Sequence, residues 1–399
     1  MAPIPRYRHH EGIVILSAGF RPFFLLAALW ACAVVPASVG FITGVVELPT
    51  VFPPLIWHVH EMVFGYGSAV VAGFLLTAIP NWTGRLPLQG VSLAALLVAW
   101  LFGRVSVLFS LYVGPSVAAV ADLIFPVVFL AVVVREIIAG RNWRNLPMVG
   151  ALLLLLIGNA LTHYDAVRFG DMGGRLGVAT LLMLICLIGG RIVPSFTRNW
   201  LVKQDSNSKL PAPFSLVDQA ALTMTVIALF GWTIAPESEA TSWLALGAGG
   251  SLAVRLLRWR GENILSEPLL WVLHLGYGWL AVGLLILALN GLMPLLPATS
   301  AIHALTVGAI GTMTLAVMTR AALGHTGRAL VAGPRTTMIY ILITAATILR
   351  LLAPLFGSYY LVGLTIAVVS WCGAFGSFAI FYFRPLTRIR VGAQSEPPI

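Results

Sequence analysis

Histidines are the residues of this chain best suited to bind a metal or a cofactor. The chain carries eight of them among 399 residues, in a sequence that is 59% hydrophobic. Ionisable groups inside a membrane are costly and usually functional, and neutral imidazole is a ligand for iron, copper and zinc. The six that lie inside or beside long apolar runs are His58, His60, His163, His274, His303 and His325. They predict a metal or heme site.

Two of these histidines begin the halves of a short internal repeat. One half starts at His60 and the other at His303, an offset of 243 residues (303 − 60), and at this offset Gly65 aligns with Gly308. A Thr-Gly-Arg triplet closes each half. Chance similarity between two helices rich in glycine and alanine is the alternative. The shared spacing favours two equivalent helices that carry a histidine at the same depth, where facing imidazoles can hold a cofactor.

A carboxylate accompanies the first repeat histidine. Glu61 follows His60 directly and, on a helix, shares a face with His58 and Gly65. It could orient a ligand imidazole by accepting a hydrogen bond, or it could transfer protons. The alternative is a water-exposed acid favoured by the helix dipole. Glu61 is the candidate for proton transfer.

The remaining histidines fall into two groups according to their predicted depth in the membrane. His58 and His163 lie toward the same, outer membrane face as His60, which makes them further candidate metal ligands. On a regular helix His58 and His60 project about 200° apart. They would bind one metal only if His58 lay in the loop before the helix.

A second group lies toward the opposite membrane face and includes His274 and His325. His303 and His325 are 22 residues apart (325 − 303), which is about 33 Å along a helix. They cannot serve one site, so we expect a separate inner pair as candidate cofactor ligands.

Isolated charges in the apolar runs predict further contacts. Arg104 and Asp122 lie at similar depth on adjacent helices and predict an ion pair. Arg175 and Arg350 lie toward the same side and could contact an anion such as a propionate.

Composition points to the lipid bilayer as the solvent. Only 10% of the residues are charged, against about 25% in soluble domains. The net charge of +10 could suggest nucleic acid, but the basic residues separate apolar runs rather than form one patch. This pattern indicates membrane topology and no nucleic-acid partner.

Twelve runs are long enough to cross the hydrocarbon as helices, of which 240–258 is the weakest. They lie near 20–42, 57–80, 88–109, 115–138, 145–163, 174–193, 214–235, 240–258, 268–290, 300–322, 334–354 and 358–383. The sequence therefore predicts an all-α, polytopic helix bundle.

Positive charge predicts its orientation. Twenty of the 24 Lys and Arg residues fall on one side of these spans, which places both termini in the cytoplasm. We expect one integral membrane domain over 1–399, with an amino-terminal segment 1–19, helices over 20–383 and a tail over 384–399. The longest polar connection, Arg198–Pro213, is predicted to be a loop.

Several stretches resemble the NnrS family of bacterial membrane proteins. They are Phe20-Arg21-Pro22-Phe23-Phe24, Trp57-His58-Val59-His60-Glu61-Met62, GFLLTAIPNWTGR at 73–85, GGRIVPSFTRN at 189–199, LLWVLHLGYGW at 269–279, and AIHALTVGAIGTM with LGHTGR within 301–328. The resemblance implies a protein of the bacterial inner membrane that contains heme and copper and is associated with nitric oxide metabolism and nitrosative stress. It also implies His60, His303, His274 and His325 as candidate ligands.

A more distant likeness is to the catalytic subunits of heme–copper oxidases and nitric oxide reductases. Those have twelve helices in three arcs of four, with heme ligands on helices two and ten, and the likeness implies a heme b held by His60 and His303. Here Ala301 precedes His303 where those enzymes have a second histidine, and helices six and seven contain no histidine. Any copper site must therefore lie elsewhere.

Three functions remain open. The chain could reduce nitric oxide, with Glu61 as the proton donor and electrons from a quinol or a periplasmic carrier. It could transport copper or a small anion, although the middles of the helices offer few polar groups beyond Thr, Ser and Gly. It could also bind nitric oxide without turnover, as a sensor or scavenger.

Overall fold

The computed structural model describes residues 12–168, 170–204, 208–293 and 297–392, and most of them are helical. The long helices are α1 (Phe20–Ile42), α2 (Pro54–Thr83), α3 (Gly90–Leu108), α4 (Pro115–Ala139), α5 (Leu146–Arg168), α6 (Met172–Lys203), α7 (Leu216–Ile234), α8 (Glu239–Leu257), α9 (Pro268–Leu292), α10 (Thr299–His325), α11 (Pro334–Leu352) and α12 (Tyr360–Thr387). Each of the twelve predicted spans is therefore a helix.

Ten stretches of the described chain are long and apolar enough to cross a membrane. One of them, Pro334–Thr387, contains both α11 and α12, which are separated by a non-helical backbone at Gly357. Within the described residues only α8 falls outside these stretches, and it corresponds to the weakest predicted run. The chain is a multi-pass membrane protein with the fold of a polytopic helical bundle.

The predicted loop from Arg198 is wrong at its start, because α6 continues to Lys203. The extra turn is amphipathic. Leu201 is buried and packs with Ile264 and Leu270. This contact stabilises helical backbone in a polar stretch whose hydropathy alone predicts a loop.

The described chain divides into two compact units. The first comprises the residues up to Gly177, Ala321–Ala329 and the residues from Phe378 onward. The second comprises Val178–Arg320 and Leu330–Ser377. His60 belongs to the first unit and His303 to the second.

Three helices contain a π-helical segment. These are Glu61–Gly67 in α2, Ile185–Gly189 in α6 and Ala304–Gly311 in α10. A π-segment shifts backbone hydrogen bonds and occurs frequently at functional sites. In α2 the indole Nε1 of Trp100 donates to the Gly65 carbonyl over 3.0 Å. A side chain from α3 thus adds a hydrogen bond to the backbone of the π-segment.

The two halves of the sequence repeat share this local structure. In each, the π-segment begins directly after the histidine. A Cβ at Gly65 would lie 2.9 Å from the indole nitrogen of Trp30, and one at Gly308 would lie 2.8 Å from the Trp279 ring. Both helices end at a glycine with positive φ (Gly84, 69°; Gly327, 73°), which a residue with a Cβ adopts only with strain.

One buried arginine fastens the end of α12 to the start of α1. The guanidinium of Arg21 donates from Nη1 to the carbonyls of Leu386 and Arg388 over 2.9 Å, and to that of Pro385 over 3.3 Å. The carbonyls of Pro385 and Leu386 lie in the last turn of α12 and that of Arg388 follows directly, where helical partners run out. Arg21 therefore caps α12.

We expect Arg21→Ala to lower the free energy of unfolding by about 2–3 kcal/mol, because charge-assisted bonds to buried carbonyls are lost. The thermal midpoint of the detergent-solubilised protein measures this effect. Arg135→Ala is the control, since that side chain is 63% exposed and its ion pair with Glu136 lies at the surface. Equal midpoints for both variants would contradict the capping role.

Candidate metal centre in the first unit

Five helices of the first unit bring polar side chains to one buried point. Trp30 comes from α1, His60 and Glu61 from α2, Arg104 from α3, Asp122 from α4, and Asn159 and His163 from α5. We call this set the polar cluster. His60, Glu61, Arg104, Asp122 and Asn159 are each 2% exposed or less.

Oxygen atoms surround the imidazole of His60. Its Nδ1 lies 3.0 Å from Glu61 Oε1. Its Nε2 lies 3.1 Å from Asp122 Oδ2 and 3.0 Å from Asn159 Oδ1. Carboxylate oxygens only accept, and a neutral imidazole has a single N–H. The second ring nitrogen therefore needs either an added proton or a cation beside it.

A second imidazole meets the same carboxylate oxygen. His163 Nε2 lies 3.0 Å from Asp122 Oδ2, and the rings of His60 and His163 are 5.1 Å apart between centroids. One ligand atom from each of His60, Asp122 and His163 lies within 4.8 Å of the others. Two imidazole nitrogens and a carboxylate oxygen form a donor set for a first-row transition metal.

Arg104 links the two carboxylates. Its Nη1 donates to Glu61 Oε1 over 2.9 Å, and its Nη2 donates to Asp122 Oδ1. Trp30 Nε1 donates to the other oxygen of Glu61 over 2.9 Å. Asp122 is thereby held with one oxygen toward Arg104 and the other toward the two histidines.

The charges of the cluster do not balance. Two carboxylates and one guanidinium leave a net charge of −1 when both imidazoles are neutral. Uncompensated charge is expensive in the interior of a membrane bundle. One additional cation at the histidines would offset it, and the donor atoms are already arranged around that position.

Glycines make room for these side chains. A Cβ at Gly103 would lie 2.7 Å from Asp122 Oδ1, and one at Gly65 would lie 2.9 Å from Glu61 Oε2 and 3.1 Å from Arg104 Nη1. At these two positions the absence of a Cβ therefore admits polar side chains of the first unit.

The match to a protein family covers this whole arrangement. The family model described as NnrS protein matches residues 14–390, which is nearly the whole chain. The chain belongs to the NnrS family. Among curated proteins, none matches it. Membership indicates a membrane protein related to nitric oxide, and the polar cluster lies within the part that the family model matches.

Some expectations for this NnrS protein are settled by the cluster. The predicted ion pair between Arg104 and Asp122 is confirmed. The reading of Glu61 as a water-exposed acid is wrong, because the carboxylate is 1% exposed and accepts from two side chains. His58 lies inside the helical segment Pro54–His60 rather than in the preceding loop, and the three residues that could hold a metal ion do not include it.

Within the described residues, the candidate metal-binding group includes none of His303, His274 and His325. His303 Nδ1 lies 2.7 Å from the Thr299 carbonyl, so Nδ1 is the donor and the ring's lone pair is on Nε2. His274 Nε2 lies 2.9 Å from Thr197 Oγ1 in the second unit. The His325 ring lies 5.6 Å from that of Phe20 in the first unit. A heme shared by His60 and His303 stays a prediction.

Sequence reasoning missed Asn159 and did not place Asp122 among the candidate ligands. The sequence contains a signal that could have identified both residues. Asp122 is a lone acid in an apolar helix, and Asn159 lies four residues before His163, which puts the two on one helix face. Treating every intramembrane amide and acid as a potential partner of the histidines would have found them.

Removing the central guanidinium tests the electrostatics of the cluster. We expect Arg104→Met to lower the free energy of unfolding by about 3–5 kcal/mol, because it leaves two buried carboxylates without their shared cation. The double variant Arg104→Met/Asp122→Asn restores the net charge and should regain part of the loss in thermal unfolding measurements.

The matched control is Arg85→Met. Arg85 pairs with Glu136, but its side chain is 44% exposed, so the cost should stay below about 1 kcal/mol. A double variant less stable than Arg104→Met would contradict the assigned coupling.

Proposed function

We propose that this NnrS-family protein acts in nitric oxide metabolism through a transition-metal ion bound by His60, Asp122 and His163. One observation carries the proposal: two imidazole Nε2 atoms converge on a single buried carboxylate oxygen, at 3.1 and 3.0 Å. With both imidazoles neutral, as metal ligands are, the site carries a net charge of −1, and this supports a bound cation.

The donor atoms narrow the choice of metal. Imidazole suits iron, copper, nickel and zinc, and two histidines with one carboxylate are typical of non-heme iron(II). The family resemblance adds copper. A redox-active ion of either kind would supply a coordination position for nitric oxide and a change of oxidation state.

The other residues of the cluster position the ligands. Glu61 accepts from His60 Nδ1, which leaves Nε2 as the ligating atom, in the manner of a carboxylate behind a metal-bound histidine. Arg104 fixes Asp122 through the oxygen that does not face the histidines. Trp30 in turn fixes Glu61. Glu61 is also the carboxylate through which a proton would reach the site during reduction of nitric oxide.

A heme b fits His303 better than His60. Both nitrogens of the His60 ring lie within 3.1 Å of side-chain oxygens, and the ring is fully buried. His303 Nδ1 donates to a backbone carbonyl, which fixes the orientation of the ring in the way common for a ligating imidazole. We therefore assign the heme to His303 in the second unit and the non-heme metal to the first.

The remaining parts of the proposal follow the family resemblance and the charge pattern. The protein lies in the bacterial inner membrane with both termini in the cytoplasm. Electrons for reduction would come from a quinol or a periplasmic donor. Binding of nitric oxide without turnover, and transport of copper or a small anion, are the competing functions.

Two histidine variants separate the two cofactors. We expect His60→Ala to lose the non-heme metal and keep the heme Soret band, whereas His303→Ala loses the Soret band and keeps the metal. Metal content and the visible spectrum of protein purified from heme-replete cells measure both quantities. His58→Ala is the control, since it lies two residues from His60 outside the ligand group, and it should keep both.

Other outcomes have distinct meanings. Loss of the Soret band in both His60→Ala and His303→Ala would favour a heme shared by the two histidines. Colourless, metal-free wild-type protein would overturn the proposal and favour a transporter. Nitrous oxide formation from nitric oxide with a supplied reductant distinguishes an enzyme from a scavenger.

A further inference from the structure

An aromatic ring covers the two imidazoles of the polar cluster. The Phe52 ring lies 5.1 Å from the ring of His60 and 5.3 Å from that of His163, between centroids. Its side chain is only 3% exposed. Phe52 belongs to the connection between α1 and α2, so it reaches the cluster from outside the helices that carry the ligands.

This connection is fastened at several points. We call residues 49–52 the strap. Leu111 N donates to the Pro49 carbonyl over 3.1 Å, and Thr50 Oγ1 donates to the Val107 carbonyl over 2.9 Å. Val51 N donates to Ser110 Oγ over 2.9 Å. The end of α3 and the turn that follows it therefore hold the strap in place.

Ser110 is the central anchor of the strap. It is fully buried, and its hydroxyl also lies 3.0 Å from Thr50 Oγ1. Thr50 Oγ1 in turn accepts from Phe52 N over 3.3 Å. The backbone position of Phe52 thus depends on two buried hydroxyl groups.

A second ring lies close to His60. The Phe64 ring is 5.6 Å from that of His60. Gly177 gives Phe64 its space, because a Cβ there would lie 2.6 Å from the ring. Two phenyl rings thus border the imidazoles, while the polar contacts of His60 are with the side chains of the cluster.

We propose that Phe52 determines which ligands reach the metal proposed above, admitting small uncharged molecules and excluding anions and water-soluble chelators. This inference rests on the proposed function. An anion that crosses an apolar wall loses its hydration without a partner, which is costly. A small uncharged molecule has no such penalty. Phe52 itself is not a ligand and acts through access.

The test uses full-length protein loaded with copper in detergent. Bathocuproine disulfonate, an anionic chelator, extracts Cu(I) at a rate that absorbance records, and azide reports access of a small anion to Cu(II) by its charge-transfer band. We expect Phe52→Ala to speed extraction at least about tenfold, as expected when a covering group is removed, and to gain azide binding that the wild type lacks.

Two further variants provide an indirect perturbation of Phe52 and a matched control. Ser110→Ala leaves Val51 N without its acceptor and should give a smaller increase in the same direction. Phe109→Ala is the matched control, because this phenylalanine is 41% exposed and its ring stacks on Tyr112. It should behave as the wild type. Nitric oxide should bind to the reduced metal in all four proteins.

The possible outcomes distinguish failure of the access role of Phe52 from failure of the metal centre. If wild-type protein retains copper but releases it as fast as Phe52→Ala and Ser110→Ala, or binds azide equally well, the role of Phe52 is overturned and the metal centre stands. If wild-type protein retains no metal, the centre itself fails and the access role fails with it. Should Phe52→Ala not accumulate, Ser110→Ala decides by the same two assays.

Discussion

Charge buried inside a membrane bundle is the constraint on which the candidate site depends. Glu61, Asp122 and Arg104 are almost fully buried and lie on three adjacent helices. Burying any one of these charges without the others would carry a large desolvation cost. Their mutual contacts fix how α2, α3 and α4 pack, and the remaining negative charge is what makes the histidines beside them suited to a cation.

Backbone geometry allows this cluster to form. The π-segment of α2 begins at Glu61, directly after the candidate ligand His60, and Gly65 within it admits the side chains of Glu61, Arg104 and Trp30. The second unit repeats the π-segment after His303 but has Ala304 where the first has Glu61. The two halves thus share a helix design while differing in the chemistry next to the histidine. This difference supports distinct cofactors.

The positions of the helices and part of the candidate site could be predicted from the sequence. Hydropathy located all twelve helices because lipid demands long apolar runs, and lone charges in such runs predicted the contact between Arg104 and Asp122. The length of α6 was missed, because its last turn is stabilised by packing of Leu201. The π-segments and the convergence of His163 on Asp122 were also missed, since both depend on neighbouring helices rather than on local sequence.

The most direct measurement is anomalous X-ray diffraction from crystals of the purified protein, recorded on either side of the absorption edge of the metal it contains. We expect a non-heme metal peak about 2.0–2.2 Å from His60 Nε2, His163 Nε2 and an oxygen of Asp122. A protein whose metal lies elsewhere, or whose His60 is bound to heme iron, would contradict it.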